Sequence, residues 1–230
     1  MDLLLMFVDE KYDMCFKKAL KYTIKEKTKK DPIPYLYVSK ASYEMSRDHK
    51  YTNNYPKAYK TAISFAAKYR KKDKTYEFRN DAEDFIDQFK MVIIEEVENH
   101  LLEGTEATYS KASSLIKKTC DMDPDDCGSK LLYALLCTLT KNKSTAKEYY
   151  KICKPILENY GENKFSLKHM TESQQHYLRF ALLEYANYYK KKDPHKAKHM
   201  LDYGKHLYYD ENEFSKIGFD NEYKLVYDNL

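Results

Sequence analysis

The chain has 230 residues, 43% hydrophobic and 33% charged, a composition that excludes intrinsic disorder. Forty basic against 36 acidic residues leave a net charge of +4, too close to balance to demand a nucleic-acid partner. With 5 Gly and 6 Pro, the chain is poor in the turn residues that an all-β fold needs. Apolar residues recur at helical spacing from end to end and predict about ten helices.

The first helix is expected over 2–29, with a break near Asp9, and Asp31-Pro32-Ile33-Pro34 stops it. A second runs from Tyr35 to Arg47, and a polar loop over 48–54 leads to a third from Tyr55 to Lys72. The fourth, over 74–103, carries the stripe Ile86, Phe89, Ile93, Val97 and Leu101, and Gly104 fits the position just past its end. The fifth runs from Thr105 to Cys120. The sixth, over 128–140, is apolar on nearly every side and must be covered on most faces. Thr145 and Glu148 are placed for a capping box on the seventh, and Thr171 and Gln174 for one on the eighth. Asp193-Pro194 opens the ninth, and a last short helix over 221–230 reads as a terminal cap. Short loops and uniform composition predict one domain over 1–230.

No apolar run reaches membrane-spanning length. The apolar start over 3–8 is bracketed by Asp2, Asp9 and Glu10 and lacks the basic region of an export signal, so it reads as the first helix. Five cysteines (Cys15, Cys120, Cys127, Cys137 and Cys153) match no zinc or redox spacing, and they make a reducing, cytoplasmic setting the default. Export remains the alternative if a leader was removed. The 24 Tyr and 10 Phe, without Trp, suit half-buried seams between helices.

A period near 34 residues runs through the chain. In 127–160, Tyr133-Ala134 takes the large-small slots of a first helix, and Ala146, Tyr150 and Cys153 the small-aromatic-small slots of a second. One repeat earlier, Ala112 and Ile116 fill the second-helix slots and Pro124 the breaking position. Ala197, Leu201 and Gly204 repeat the rhythm, with Tyr185-Ala186 and Tyr189 on the matching first helix. On these residues the chain resembles the tetratricopeptide family, best over 107–160, fairly over 177–208 and irregularly before 104. The resemblance implies an all-α fold of antiparallel helix pairs stacked into a right-handed solenoid. The helix over 74–103 is too long for the motif.

Three clusters invite chemistry. Asp121, Asp123 and Asp125 mimic the start of a calcium loop, but its sixth place is Asp126 and its twelfth Leu132, which favours a turn whose acids cap the next helix. His195, His199, Asp202 and His206 share one helical stripe, which in the repeat frame is a polar outer face rather than a metal site. Cys120 and Cys127 flank the acidic turn and could pair only if geometry allows. The basic runs over 25–30, 70–74 and 190–192 lie at helix ends, where cations complement the helix dipole. No catalytic motif or cofactor loop is recognisable, so the expectation is a chain with no enzyme activity, metal or cofactor.

The resemblance therefore implies a non-catalytic protein-interaction scaffold that binds a peptide or helix of a partner protein. A nucleic-acid or other polyanion binder is the alternative reading. The family's carboxylate clamp is not expected, because Tyr37, Ala41, Leu131 and Leu135 occupy its positions. The expected partner surface is instead Tyr37, Ala41, Glu44, Leu131, Leu135, Glu184 and Asn187, lining the concave side with aromatic and aliphatic anchors.

Overall fold

The computed structural model describes residues 2–161, 166–210 and 221–230. Every element among them is helical: α1 (Asp2–Val8), α2 (Tyr12–Ile24), α3 (Ile33–Arg47), α4 (His49–Thr52), α5 (Ala58–Lys72) and α6 (Arg79–Glu103). After these come α7 (Glu106–Met122), α8 (Cys127–Leu139), α9 (Lys143–Gly161), α10 (Glu172–Lys190), α11 (Pro194–Asp202) and α12 (Asn221–Asp228). A 3₁₀ turn precedes α10, and a π-helical turn, Lys205–Asp210, follows α11.

Local chemistry sets most boundaries. The break near Asp9 is a left-handed Glu10, whose neighbour Lys11 N–H donates back to the Met6 carbonyl at 2.9 Å. Asp31 accepts from the Ile33 N–H at 3.0 Å where the proline-flanked α3 begins. Gly104 adopts φ +67° after α6, as its position past the helix end requires. Thr171 and Gln174 form the expected capping box of α10. Asp193 accepts from the Lys196 N–H at 3.0 Å to cap α11. The box expected from Thr145 and Glu148 does not form, because α9 starts earlier, at Lys143, and places both residues inside the helix. The polar loop over 48–54 contains the single turn α4, capped by Asp48.

Two compact units result, one of Met1–Ile86 with Asp121–Pro124, the other of Asp87–Cys120 with Asp125–Leu230. No shift in composition marks this division, because it cuts through α6 and α7 instead of a linker.

In unit 1, α3 is the central helix and packs on α2 and α5. Ser39 and Ala62 meet where α3 crosses α5, and the Ser39 hydroxyl donates to the Ala62 carbonyl at 2.8 Å. Both are fully buried, and their small side chains allow the two helices to approach this closely. Arg70 is buried as well. Its Nε donates to the Met122 carbonyl at 2.9 Å, its guanidinium pairs with Glu83, and it lies over the Tyr76 ring.

In unit 2, α8 packs on both α9 and α10, and α10 packs in turn on α11. The apolar α8 is covered as expected, with Leu131, Leu132, Leu135 and Leu136 all inside. At its first turn a Cβ on Gly128 would stand 2.2 Å from the Leu178 nitrogen and 2.6 Å from the Tyr177 carbonyl carbon. The backbones of α8 and α10 thus touch, and glycine is required there. Beside this contact Lys90 and Asp126 pair at 3.0 Å with both side chains sealed from solvent. Asp126 also caps α8 through the Gly128 N–H, and the Tyr177 hydroxyl donates to the Lys90 carbonyl.

Candidate functional site

The residues expected to line a partner surface divide into two groups. Tyr37 and Ala41 are buried in the unit 1 core with Leu3, Cys15, Ala19 and Val38. Leu131 and Leu135 are buried in unit 2. These four are corrected from surface anchors to core: α3 and α8 are covered by their neighbours on the faces that carry them, so the rings and methyls already have partners. Glu44, Glu184 and Asn187 do reach solvent. Glu44 pairs loosely with Arg47 at 3.7 Å, and Glu184 accepts from the Asn187 amide at 3.3 Å. Partial burial raises the Glu184 carboxyl above the usual range, opposed by that amide.

Three grooves lie elsewhere and share one chemical pattern, aromatic or aliphatic floors with lysine rims. One such groove, about 520 Å³, belongs to unit 1. Leu20 and Ile24 of α2, Tyr35 of α3 and Phe65 of α5 form its floor. Lys68, Lys71 and Lys72 of α5 form its rim. The Tyr35 hydroxyl pins the floor by donating to the Thr23 and Lys29 carbonyls, and its ring stacks on Phe65 at 6.1 Å. Ile24 is 75% exposed, an unusual state for such a side chain.

The rim lysines are ordered by the rings beneath them. Lys68 Nζ lies 4.2 Å from the Phe65 centroid and Lys72 Nζ 5.5 Å from that of Tyr35. Lys71 pairs with Asp121 at 3.5 Å. A second groove of unit 1, about 420 Å³, has Met6, Met14 and Tyr22 as floor and Lys17, Lys18, Lys21 and Lys25 as rim. Lys17 and Lys18 pair there with Asp13 and Asp2. The exposed apolar residues of unit 1 (Leu4, Leu5, Val8, Met14 and Ile24) all belong to α1 and α2.

The basic runs over 25–30 and 70–74 therefore contribute Lys25, Lys71 and Lys72 to groove rims. In the sequence these lysines lie at helix ends, and the floors they border form only in the folded chain. The usable signal was the helical spacing of Lys17, Lys21 and Lys25 beside Met14, and of Lys68 and Lys72 beside Phe65.

Unit 2 has a narrower cleft of about 210 Å³, walled by Tyr150, Tyr185 and Tyr189 and edged by Lys143, Lys147 and Lys196. Ala146 lines it too, and Tyr150, the aromatic of the second-helix slots, is half-buried and opens onto this space.

The remaining clusters are structural. Asp126 caps α8 while Asp121 belongs to the Lys71 pair. His195, His199 and Asp202 are exposed, with His199 Nε2 3.1 Å from the Tyr203 hydroxyl and Asp202 accepting from the Tyr227 hydroxyl. No group of three His, Cys, Asp or Glu placed to hold a metal occurs among the described residues. All five cysteines are free and buried. Burial pushes the thiol of Cys15 up to about 11 and that of Cys120 up to about 12, which keeps both protonated and inert. No described helix is long and apolar enough to cross a membrane. No protein-family model, curated protein or solved structure matches this chain.

Proposed function

We propose that the chain is a non-catalytic, tetratricopeptide-like protein-interaction module whose larger unit 1 groove binds an acidic amphipathic helix of a partner protein. The groove's apolar floor, bordered by the ring-held cations Lys68 and Lys72, carries this reading. An amphipathic helix would cover Ile24 and Phe65 with its apolar stripe and set carboxylates against the lysine rim. Lysines held on rings have already lost part of the side-chain freedom that binding would otherwise remove. The repeat reading is supported in unit 2, where α8 packs on both α9 and α10 and α10 on α11, the order expected when first helices of successive pairs meet.

The test places a photo-crosslinking residue at Ile24 in the full chain. The segment it captures, mapped by mass spectrometry, should be acidic and amphipathic. Capture should disappear in Lys68→Glu/Lys72→Glu while the melting temperature stays within a few degrees. If a basic or wholly polar segment is captured, or capture survives the double reversal, the reading fails. Nucleic-acid capture at Ile24, with affinity falling by orders of magnitude between about 50 and 200 mM salt, would favour the polyanion alternative.

A further inference from the structure

We propose that the unit 2 cleft is a separate binding site for a phosphate monoester carried on a short planar stem. It goes beyond the groove of unit 1 and shares no residue with it. Three cations converge on the space: Lys143 and Lys147 from the first turns of α9, and Lys196 from the first turn of α11. Among the described residues no carboxylate lines it. Asp193, the N-cap of α11, accepts from the Lys196 N–H, and its charge also acts on the Lys196 ammonium without lining the cleft.

These lysines stand in the first turns of α9 and α11, where the helix dipole contributes partial charge of the same sign. Three ammonium groups match a dianion better than a single carboxylate, because a monoanion would leave most of the cationic charge uncompensated. The walls argue for the stem. Tyr185 and Tyr189 stack at 6.2 Å with 22° between their planes, and Tyr150 closes the side at 6.2 Å from Tyr185. These rings offer flat apolar surface on which an aromatic stem can lie. Lys196 is held 4.1 Å from the Tyr189 centroid, so one cation is already positioned at the rim.

Size limits the ligand. The cleft offers about 210 Å³ between its walls and opens to solvent on one side. That accommodates one headgroup and a ring, whereas a helix about 10 Å across does not fit. The same chemistry could come from a free phosphorylated metabolite or from a phosphorylated side chain of a protein.

Isothermal titration of the full chain with phenyl phosphate tests the proposal, with inorganic phosphate, benzoate and phenol as comparators. One saturable site is expected, with phenyl phosphate tightest, inorganic phosphate and benzoate weaker, and phenol silent. Lys143→Gln, Lys147→Gln and Lys196→Gln should each weaken phenyl phosphate by roughly tenfold, since each removes one charge-assisted contact. Lys111→Gln, an exposed change outside the cleft, should leave it unchanged. All four side chains are exposed, and circular dichroism should confirm intact folding. A phosphotyrosine peptide that binds more than about tenfold tighter than phenyl phosphate assigns a protein source, while equal affinity assigns a free metabolite. No saturation below about 10 mM, benzoate binding as tightly as phenyl phosphate, or indifference to all three cleft lysines would overturn the assignment.

Discussion

The two units solve the same packing problem by different means. In unit 1 the central helix α3 meets α5 through small side chains, with Ser39 against the Ala62 carbonyl. In unit 2 the central helix α8 meets α10 backbone to backbone at Gly128. Their buried cations differ in the same sense. Arg70 is paired with a Glu83 that is about one-third exposed, whereas Lys90 and Asp126 are both sealed. Tighter closure leaves unit 2 with a narrow cleft walled by tyrosine. Unit 1 has broader apolar grooves beside exposed aliphatic side chains on α1 and α2, while unit 2 exposes Leu102, Ile152 and Leu225 away from its cleft. Open apolar surface in these units lies where packing is incomplete.

The contrast can be broken most severely at Gly128. Gly128→Leu should unfold unit 2 or destabilise it by more than about 3 kcal/mol, since no rotamer relieves a clash with backbone. Ala62→Leu in unit 1 should cost about 1–3 kcal/mol, because side chains there can shift. Urea titrations of both variants measure the difference, and equal losses would remove the distinction between the two crossings.

The ion pairs provide the next test. Asp126→Asn should destabilise by about 3–5 kcal/mol, leaving Lys90 charged and sealed. Glu83→Gln should cost about 1 kcal/mol, because Glu83 already contacts water. Similar melting temperatures for the two variants would show that sealing is not what separates the pairs.

A smaller effect separates two alanines that the repeat pattern treats as equivalent. Ala197 is fully buried, and Ala197→Leu should cost about 1–3 kcal/mol. Ala146 borders the cleft, so Ala146→Leu should cost less than about 1 kcal/mol while shrinking the space available to phenyl phosphate. Thermal melts and titration calorimetry read the two outcomes.

The smallest effect concerns Glu184. Its carboxyl is raised in the folded chain, so the folded state holds the proton to higher pH than the unfolded state does. Stability from this group is therefore lost as pH rises from the ordinary glutamate range through the raised value. Glu184→Gln should lift the melting temperature by about 1–2 °C near pH 7.5 and leave it unchanged near pH 3.5. Thermal melts at the two pH values check the sign.

Most helices were legible because they leave a periodic trace and a chemical boundary, as at Gly104, Thr171 and Asp193, whereas the single turn α4 lay hidden in a polar loop. Closure was not. The apolar face of α8 announced burial, but nothing local told whether Leu131 and Leu135 would meet a partner protein or α10. The same ambiguity hid Tyr37. Lys90 was unreadable as a buried charge, because its partner Asp126 is 36 residues away and looked like one acid among several in a turn. The lysine rims were visible as charge, but their aromatic floors come from other helices and depend on tertiary contact. The division into units was invisible because it interrupts helices, where composition stays continuous.

The contact at Gly128 also has a consequence in time. Its backbone partner, Leu178, lies 50 residues later in the chain. At a synthesis rate of about 5–20 residues per second, α8 waits roughly 3–10 s before α10 exists to cover it. During that interval its four buried leucines face the ribosome-bound nascent chain's surroundings instead of a core. The helix that packs on both α9 and α10 thus keeps one apolar face uncovered until its later partner has been made.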